Sequence, residues 1–140
     1  MSDRHPVVGS WRVAVTIPGA GPAFVNLATL SSDGTVLVAF PSPTPAAPGA
    51  GHRLEFWTPA LGSWTATGER TATMIFVALG VDENGMAIGT HTLTAAIESA
   101  GPGWSGSFTM EVVGPDGSVQ TSVSGTVSAT PITAAPTRAS

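Results

Sequence analysis

The chain has 140 residues, a length that suits one domain with a single hydrophobic core. Apolar residues make up 42% of the chain and charged residues 10%, which argues against a disordered protein. The net charge is −4 and all five basic residues are isolated arginines, so the composition argues against nucleic acid or an anionic membrane as a partner. The chain contains no cysteine, which excludes disulfides, thiolate metal sites and cysteine nucleophiles.

Short segments rich in Val, Ile and Thr alternate with Gly- and Pro-rich turns, and this pattern predicts β-strands rather than helices. Pro59 interrupts the region between His52 and Thr67, which is therefore either one bulged strand or two short strands. Residues Pro41–Gly51 carry four prolines and predict a long loop across one end of the domain. The predicted strands are Val8–Ile17, Ala23–Leu30, Thr35–Phe40, His52–Thr58, Gly62–Thr67, Thr71–Val81, Met86–Ser99, Gly103–Val113 and Ser118–Ala129.

The short connections between successive strands predict antiparallel neighbours in chain order. A meander of this many apolar strands leaves two exposed edges unless the sheet closes. We therefore predict an all-β fold, a single antiparallel up-and-down barrel of about eight strands, with a two-layer sandwich as the alternative. The barrel domain is expected over residues 8–130, between a flexible N-terminus of residues 1–7 and a flexible tail of residues 131–140.

The chain has no apolar run long enough for a membrane helix, and its first residues lack the apolar core of a signal peptide. The chain as given is therefore expected to be cytoplasmic, or secreted if an export signal has been removed.

The first predicted strand carries Gly9-Ser10-Trp11, which resembles the Gly-X-Trp opening of lipocalins and other calycins, including the avidin-like barrels. This resemblance implies a barrel in which Trp11 closes one end beneath a ligand cavity. The C-terminal helix and the disulfides that are common in lipocalins have no counterpart in this sequence. In size and pattern the chain is also similar to allene oxide cyclase and to small polyketide cyclases, which are barrels that fold an apolar substrate without a cofactor.

Alternation along the strands predicts which side chains line the interior of the barrel. The apolar faces carry aromatic, Met, Val and Leu side chains, which suit a small apolar or aromatic ligand. Gly89, Gly106 and Gly125 lie on inward faces and are expected to leave room for it; the alternative is a lumen that the side chains fill completely. The predicted ligand-binding residues are Trp11, Val13, Trp57, Trp64, Met74, Phe76, Leu93, Trp104, Phe108 and Met110.

Two titratable residues are candidates for a catalytic or polar role. His91 lies on the apolar face of its strand, where an imidazole could act as a general base or donate a hydrogen bond to a ligand carbonyl. A core histidine with its hydrogen bonds satisfied is the alternative. Glu55 shares a strand face with Arg53 and Trp57, so that Glu55 and Arg53 could form an ion pair at the mouth of a cavity.

The three histidines, His5, His52 and His91, are too scattered to predict a metal site. The sequence also lacks a nucleophile elbow and a phosphate-binding loop, so we expect neither a metal nor a cofactor.

The first functional hypothesis is a barrel that binds a small hydrophobic ligand, and the second is a cofactor-free cyclase or isomerase. A purely structural barrel with a filled lumen is a third. The Thr71–Leu79 strand carries the run Met74–Leu79, which is apolar on both faces and predicts either a homodimer contact through this strand or cover by a loop.

Overall fold

Ten β-strands form the computed structural model of the chain, which describes residues 4–19, 23–46 and 49–134. No helix in these residues is long and apolar enough to cross a membrane. Apart from β4, each strand boundary lies within two residues of the predicted one. The strands are β1 (Gly9–Thr16), β2 (Phe24–Leu30), β3 (Thr35–Ala39), β4 (Thr44–Pro45), β5 (Leu54–Trp57), β6 (Ala60–Ala66), β7 (Thr71–Asp82), β8 (Ala87–Ala100), β9 (Gly103–Val113) and β10 (Val119–Pro131).

Pairing between the last strand and the first closes the sheet into a barrel. β10 runs antiparallel to β1, from Thr16 opposite Thr126 to Trp11 opposite Pro131. The described strands follow one another around the ring in the order β1, β2, β3, β6, β7, β8, β9, β10, and each is antiparallel to its neighbours. The predicted all-β, up-and-down barrel of eight strands is confirmed, and the alternative of two stacked layers is wrong.

The interrupted region around Pro59 consists of two short strands that both pair with β7. β6 pairs with the first half of β7, and β5 pairs with its last residues, Gly80–Asp82. β4 extends this sheet outward by pairing with β5. The prediction that Pro41–Gly51 is a loop throughout is therefore wrong at Thr44–Pro45, because a short edge strand does not need a backbone donor from its proline.

Two hairpin turns are built in the same way from an aspartate and a glycine. In the β2–β3 turn, the Asp33 carboxylate accepts the backbone N–H of Thr35, and Gly34 takes a φ of 94°. Asp116 accepts the N–H of Ser118 in the same manner in the β9–β10 turn. A positive φ is costly for residues with a Cβ, so the Asp-Gly pairs in the sequence select these turns and set the strand register.

β7 is apolar on both faces, and the structure determines which face turns inward. Its even-numbered residues from Ala72 to Gly80 are buried, whereas its odd-numbered residues from Thr73 to Val81 are exposed. The buried side chains join one core cluster with the inward residues of the other strands. The exposed ones, among them Ile75 and Leu79, face outward although they are aliphatic.

The chain segment before β1 packs into one end of the barrel, which we call the closed end. Val7 has 0% of its surface exposed, and its carbonyl oxygen accepts the indole N–H of Trp11 at 2.9 Å. The Trp11 ring in turn packs edge-on against Trp104, with centroids 5.8 Å apart. His5 Nδ1 accepts the N–H of Val7, so Nε2 carries the proton and donates to the carbonyl of Gly68 in the β6–β7 turn at 3.0 Å. Trp11 thus lies at the end of the barrel that the calycin resemblance implies.

Inward glycines do not leave the room that we expected from the sequence. A Cβ on Gly125 would lie 2.8 Å from the Phe108 ring, and one on Gly106 would lie 2.9 Å from Ile97. Both distances are shorter than real carbon contacts, so these side chains already occupy the space above the glycines. A Cβ on Gly89 would meet the backbone oxygen of Val113 at 2.2 Å. The three glycines permit close packing and do not create a cavity.

The closed end generates a stability prediction. Val7→Ala removes two methyl groups from a fully buried site, and we expect it to lower the free energy of unfolding by about 2 kcal/mol. Val119→Ala makes the same chemical change at a side chain that is 56% exposed, and it should cost less than about 0.5 kcal/mol. Urea denaturation followed by tryptophan fluorescence measures both. Equal losses in the two variants would show that Val7 does not close the barrel.

Candidate functional site

The interior of the barrel is packed at the closed end and partly open at the other end. Of the ten predicted ligand-binding residues, Trp11, Val13, Met74, Phe76, Trp104 and Phe108 are all at most 8% exposed and belong to the packed core. Trp57, Trp64, Leu93 and Met110 are half-buried. Trp64 lies at the closed end, where its indole N–H donates to the carbonyl of Ser31 and its ring contacts His5.

We call the half-exposed inward residues away from the closed end the open-end ring. Phe24 is the most exposed of them at 46%. Phe40 packs on Phe76 of the core below it, with ring centroids 6.5 Å apart. Strand alternation gives the inward facing of the ring residues; the predicted ligand-binding set includes Trp57, Leu93 and Met110 but omits Phe24 and Phe40. The ring consists of Ile17, Phe24, Phe40, Trp57, His91, Leu93, Met110, Val112 and Val123.

Trp57 and His91 form a flat stack in the open-end ring. Their ring centroids are 3.5 Å apart and their planes are inclined by 25°. Trp57 is opposite Gly80 on β7, and Gly80 lies opposite Gly89 on β8, two residues before His91. A Cβ on Gly80 would come within 2.6 Å of the indole, so glycine is required for the indole to lie across β7 and reach the imidazole.

Glu55 holds the indole of Trp57 in place. Its Oε1 accepts the Trp57 N–H at 3.1 Å, and its Oε2 accepts a hydrogen bond from His52 Nε2 at 3.0 Å. The side chains of His52 and Glu55 are 13% and 23% exposed, so the pair is largely shielded from water. The sequence suggested an ion pair between Glu55 and Arg53, but Glu55 pairs with His52 instead. Both of its carboxylate oxygens accept hydrogen bonds. Its role in this arrangement is to position Trp57.

The pKa values of the two histidines at the open end, His52 and His91, are shifted in opposite directions. The hydrogen bond from Glu55 raises the pKa of His52, and the negative charges of Glu55, Asp82 and Glu83 act in the same sense. Burial lowers the pKa of His91, with a smaller opposing effect from Glu55. At neutral pH, His91 is therefore a neutral imidazole with one N–H donor and one acceptor nitrogen.

His91 has no hydrogen-bond partner among the residues that the structure describes. The alternative of a core histidine with satisfied hydrogen bonds therefore does not describe His91, which is half-buried and stacked on Trp57. An imidazole in this state can bind an uncharged polar group or accept a proton. The structure thus brings Glu55, Trp57 and His91 together, as strand parity alone could not show.

Glu83 ties the rim of the open end to the chain segment that precedes β5. Its carboxylate accepts the backbone N–H groups of Leu54 and Arg53, each at 3.0 Å through Oε1. These hydrogen bonds lower the pKa of Glu83. The β7–β8 turn thereby fixes the start of β5, which carries both Glu55 and Trp57.

In the described part of the chain, no group of three His, Asp or Glu side chains is placed to hold a metal ion. Two shallow depressions of about 460 and 720 Å³ lie on the outer face of the barrel across β6–β10, and their walls consist mainly of Ser and Thr side chains. The chemically distinctive groups lie instead at the open end, where apolar side chains surround His91 and Trp57.

No family model matches the chain, and neither a curated protein nor a solved structure matches it. The resemblance to calycins consequently depends on the barrel architecture and on Gly9-Ser10-Trp11.

The open-end histidines generate a pH prediction. Because His52 has a raised pKa in the folded state, its contribution to stability is present below about pH 6.5 and is lost as the pH rises through its folded value. Because the pKa of His91 is lowered in the folded state, His91 of the unfolded chain binds a proton at a higher pH than His91 of the folded chain. The folded state therefore loses stability as the pH falls below about 6.5.

We expect His91→Phe, which keeps a flat ring against Trp57, to lose less stability than the wild type on going from neutral pH to about pH 5. His52→Asn should lose more over the same range. Urea denaturation at several pH values measures both slopes relative to the wild type. Slopes that change in the same direction in the two variants would contradict the opposite environments of the two histidines.

Proposed function

We propose that this protein binds a small, mainly apolar molecule at the open end of the barrel, against the stacked rings of Trp57 and His91. The observation that carries the proposal is the His91 imidazole, which is held flat on Trp57 with its nitrogens unpaired among the described residues. Half-exposed apolar side chains surround it, and binding pockets combine an apolar lining with a few fixed polar groups in this way.

The barrel architecture supports the proposal. A closed eight-stranded barrel has a lumen that holds one small ligand at most, and here the closed end is already filled. With Trp11 at the closed end, the arrangement is the one that lipocalins and other calycins would have, and we propose that the chain is related to them in fold. A ligand with two fused rings that buries roughly 250 Å² of apolar surface would gain about 6 kcal/mol from burial, part of which offsets its lost translational and rotational freedom.

A cofactor-free cyclase or isomerase is a second candidate, and the state of His91 favours it. Burial lowers the pKa of His91, so the imidazole is neutral and can take a proton from one carbon of a bound substrate and return it to another, which leaves an isomer and regenerates the neutral imidazole. Glu55 is not free to act as the base, because both of its oxygens already accept hydrogen bonds. As a cyclase or isomerase, the protein would hold a flexible substrate in a reactive conformation within the open-end ring, and His91 would be the catalytic residue.

Titration with N-phenyl-1-naphthylamine, a neutral probe that fluoresces in apolar surroundings, tests binding at the open end. We expect Trp57→Ala to weaken binding about tenfold, because the stacked surface and its apolar contact area are lost. Phe56→Ala is the matched control: Phe56 is the neighbouring aromatic residue of β5, but it faces outward and is 37% exposed. Its dissociation constant should stay within about twofold of the wild type.

An equal loss of affinity in the two variants would place the probe on the outer surface and refute the proposal.

Recovery of bound molecules after incubation separates the two candidate functions. A binding protein returns its ligand chemically unchanged, and His91→Ala costs it only a modest loss of affinity. A cyclase releases a rearranged isomer of the same mass, and His91→Ala abolishes that conversion while Thr92→Ala, a change on the opposite face of β8, does not.

A further inference from the structure

Asn26 is a polar residue buried in the apolar interior. It is 7% exposed, and its Oδ1 has no hydrogen-bond partner among the described residues. It alternates along β2 with outward residues and shares the inward face with Ala28 and Leu30, both of which are buried in the core. Buried polar groups are nearly always hydrogen-bonded in folded proteins, so an unpaired Asn26 acceptor needs an explanation.

Asn26 lies directly below the open-end ring. The next inward residue of β2 toward the open end is Phe24, which is 46% exposed. β2 and β8 are four strands apart in either direction around the eight-stranded ring, so Asn26 and His91 are on opposite walls of the barrel. A molecule that reaches into the open end from the Trp57–His91 stack therefore approaches Asn26 on the far wall.

A structural role does not account for the amide. An apolar side chain of similar size would fill the same place without burying an unpaired acceptor, and it would be less costly. The indole N–H of Trp104 is also unpaired among the described residues, but it belongs to the closed end, where Trp11 packs against it. Asn26 is thus the unpaired group that a ligand entering at the open end would meet.

We propose that Asn26 is a specificity-determining residue whose Oδ1 accepts a hydrogen bond from an O–H or N–H group of an uncharged, otherwise apolar ligand. This inference rests on the proposed binding function. An acceptor oxygen repels a carboxylate, and the open-end ring contains no cationic side chain, since His91 is neutral. A neutral alcohol, phenol or amide therefore fits the site, and a fatty acid in its ionised form does not.

Isothermal titration at neutral pH with three probes of one ring system tests the inference: 2-naphthol, 2-methoxynaphthalene and 2-naphthoate. The wild type should bind 2-naphthol about tenfold more tightly than 2-methoxynaphthalene, the difference that one hydrogen bond to a buried acceptor supplies, and 2-naphthoate more weakly than either. In Asn26→Leu, the naphthol and its methyl ether should bind equally, and the melting temperature should stay the same or rise. Thr29→Val, a polar-to-apolar change on the outward face of β2, should keep the preference for 2-naphthol.

The outcomes separate this inference from the proposed function. If none of the three probes binds the wild type, the binding function itself is refuted. If all three bind the wild type with equal affinity, the function stands and the role of Asn26 is refuted; this comparison needs no variant. A preference for 2-naphthol that persists in Asn26→Leu would likewise refute it, as would an Asn26→Leu chain that no longer folds, because Asn26 would then be structural.

A second observation concerns the outside of the barrel. Eight aliphatic or aromatic side chains that are 36–63% exposed adjoin one another on the outer surface of β2, β3, β5, β6 and β7. The strand register joins them: Leu37 lies opposite Leu61, and Leu61 lies opposite Val77. We call this surface the outer apolar face; it consists of Leu27, Leu37, Phe56, Leu61, Ile75, Val77, Leu79 and Val81.

We infer that the outer apolar face binds a second copy of this chain. Within the described strands β2, β3, β5, β6 and β7, no outward-facing position carries a charge, so the face carries no charge that would repel a second copy of itself. Eight aliphatic or aromatic side chains that are 36–63% exposed present on the order of 700 Å² of apolar surface, which is enough to supply the apolar share of a standard interface of about 800 Å² per partner.

Sedimentation velocity over a range of protein concentrations tests the dimer. The wild type should sediment with twice the mass of one chain, and Leu61→Lys, at the most exposed side chain of the face, should sediment as a monomer. Thr109→Lys places the same charge on β9, outside the face, and should remain dimeric. A monomeric wild type would refute the inference, and a monomer that cosediments with phosphatidylcholine vesicles would assign the face to a lipid surface instead.

Discussion

The pairing of β10 with β1 is the interaction on which the rest of the structure depends. It removes both free edges of the sheet, and it forces the inward side chains of eight strands into one narrow lumen. In a lumen of this width, each large side chain excludes another. The closed end is filled by Val7 and the rings of Trp11 and Trp104, which leaves the remaining inward residues to form the open end.

Glycines decide how the large rings are arranged within this lumen. Gly125 lets the Phe108 ring approach β10 in the packed half, and Gly80 lets the indole of Trp57 cross β7 in the open half. In both places aromatic carbons occupy the space that a Cβ would take, so the barrel keeps its packing density. At Gly80 the consequence reaches the candidate site, because the indole then stacks on His91 of the next strand.

The barrel was predictable from the sequence because its signals are local. Asp-Gly turns, such as Asp33-Gly34 and Asp116-Gly117, mark the hairpins, and alternation identifies the inward faces of β1, β9 and β10. Alternation could not assign the inward face of β7, since residues 74–79 are all apolar and both faces of the strand therefore have the same character. Only the pairing with β6 and β8 shows that the even-numbered residues face inward.

The candidate site was predictable in part, for a related reason. Parity placed His91 and Glu55 on plausible inward faces, but it could not show that they converge on Trp57, since that contact depends on two strands separated by β7. The contact between His52 and Glu55 was not predicted, because His52 lies in a loop and strand alternation does not apply there. The role of the interior glycines was misread because a sequence shows the missing side chain and not the neighbour that fills its place.

The polar groups inside this barrel differ in whether the fold supplies their hydrogen-bond partners. Several polar groups that shape the fold are paired: the Trp11 indole with Val7, the Trp64 indole with Ser31, and Glu55 with both Trp57 and His52. The Trp104 indole N–H at the closed end is unpaired among the described residues. The His91 imidazole and the Asn26 Oδ1 lack partners among the described residues, and they lie on opposite walls of the barrel. Folding alone favours apolar replacements at such positions. Their polarity becomes favourable when a bound molecule supplies the missing partners, and the open end is where such a molecule can enter.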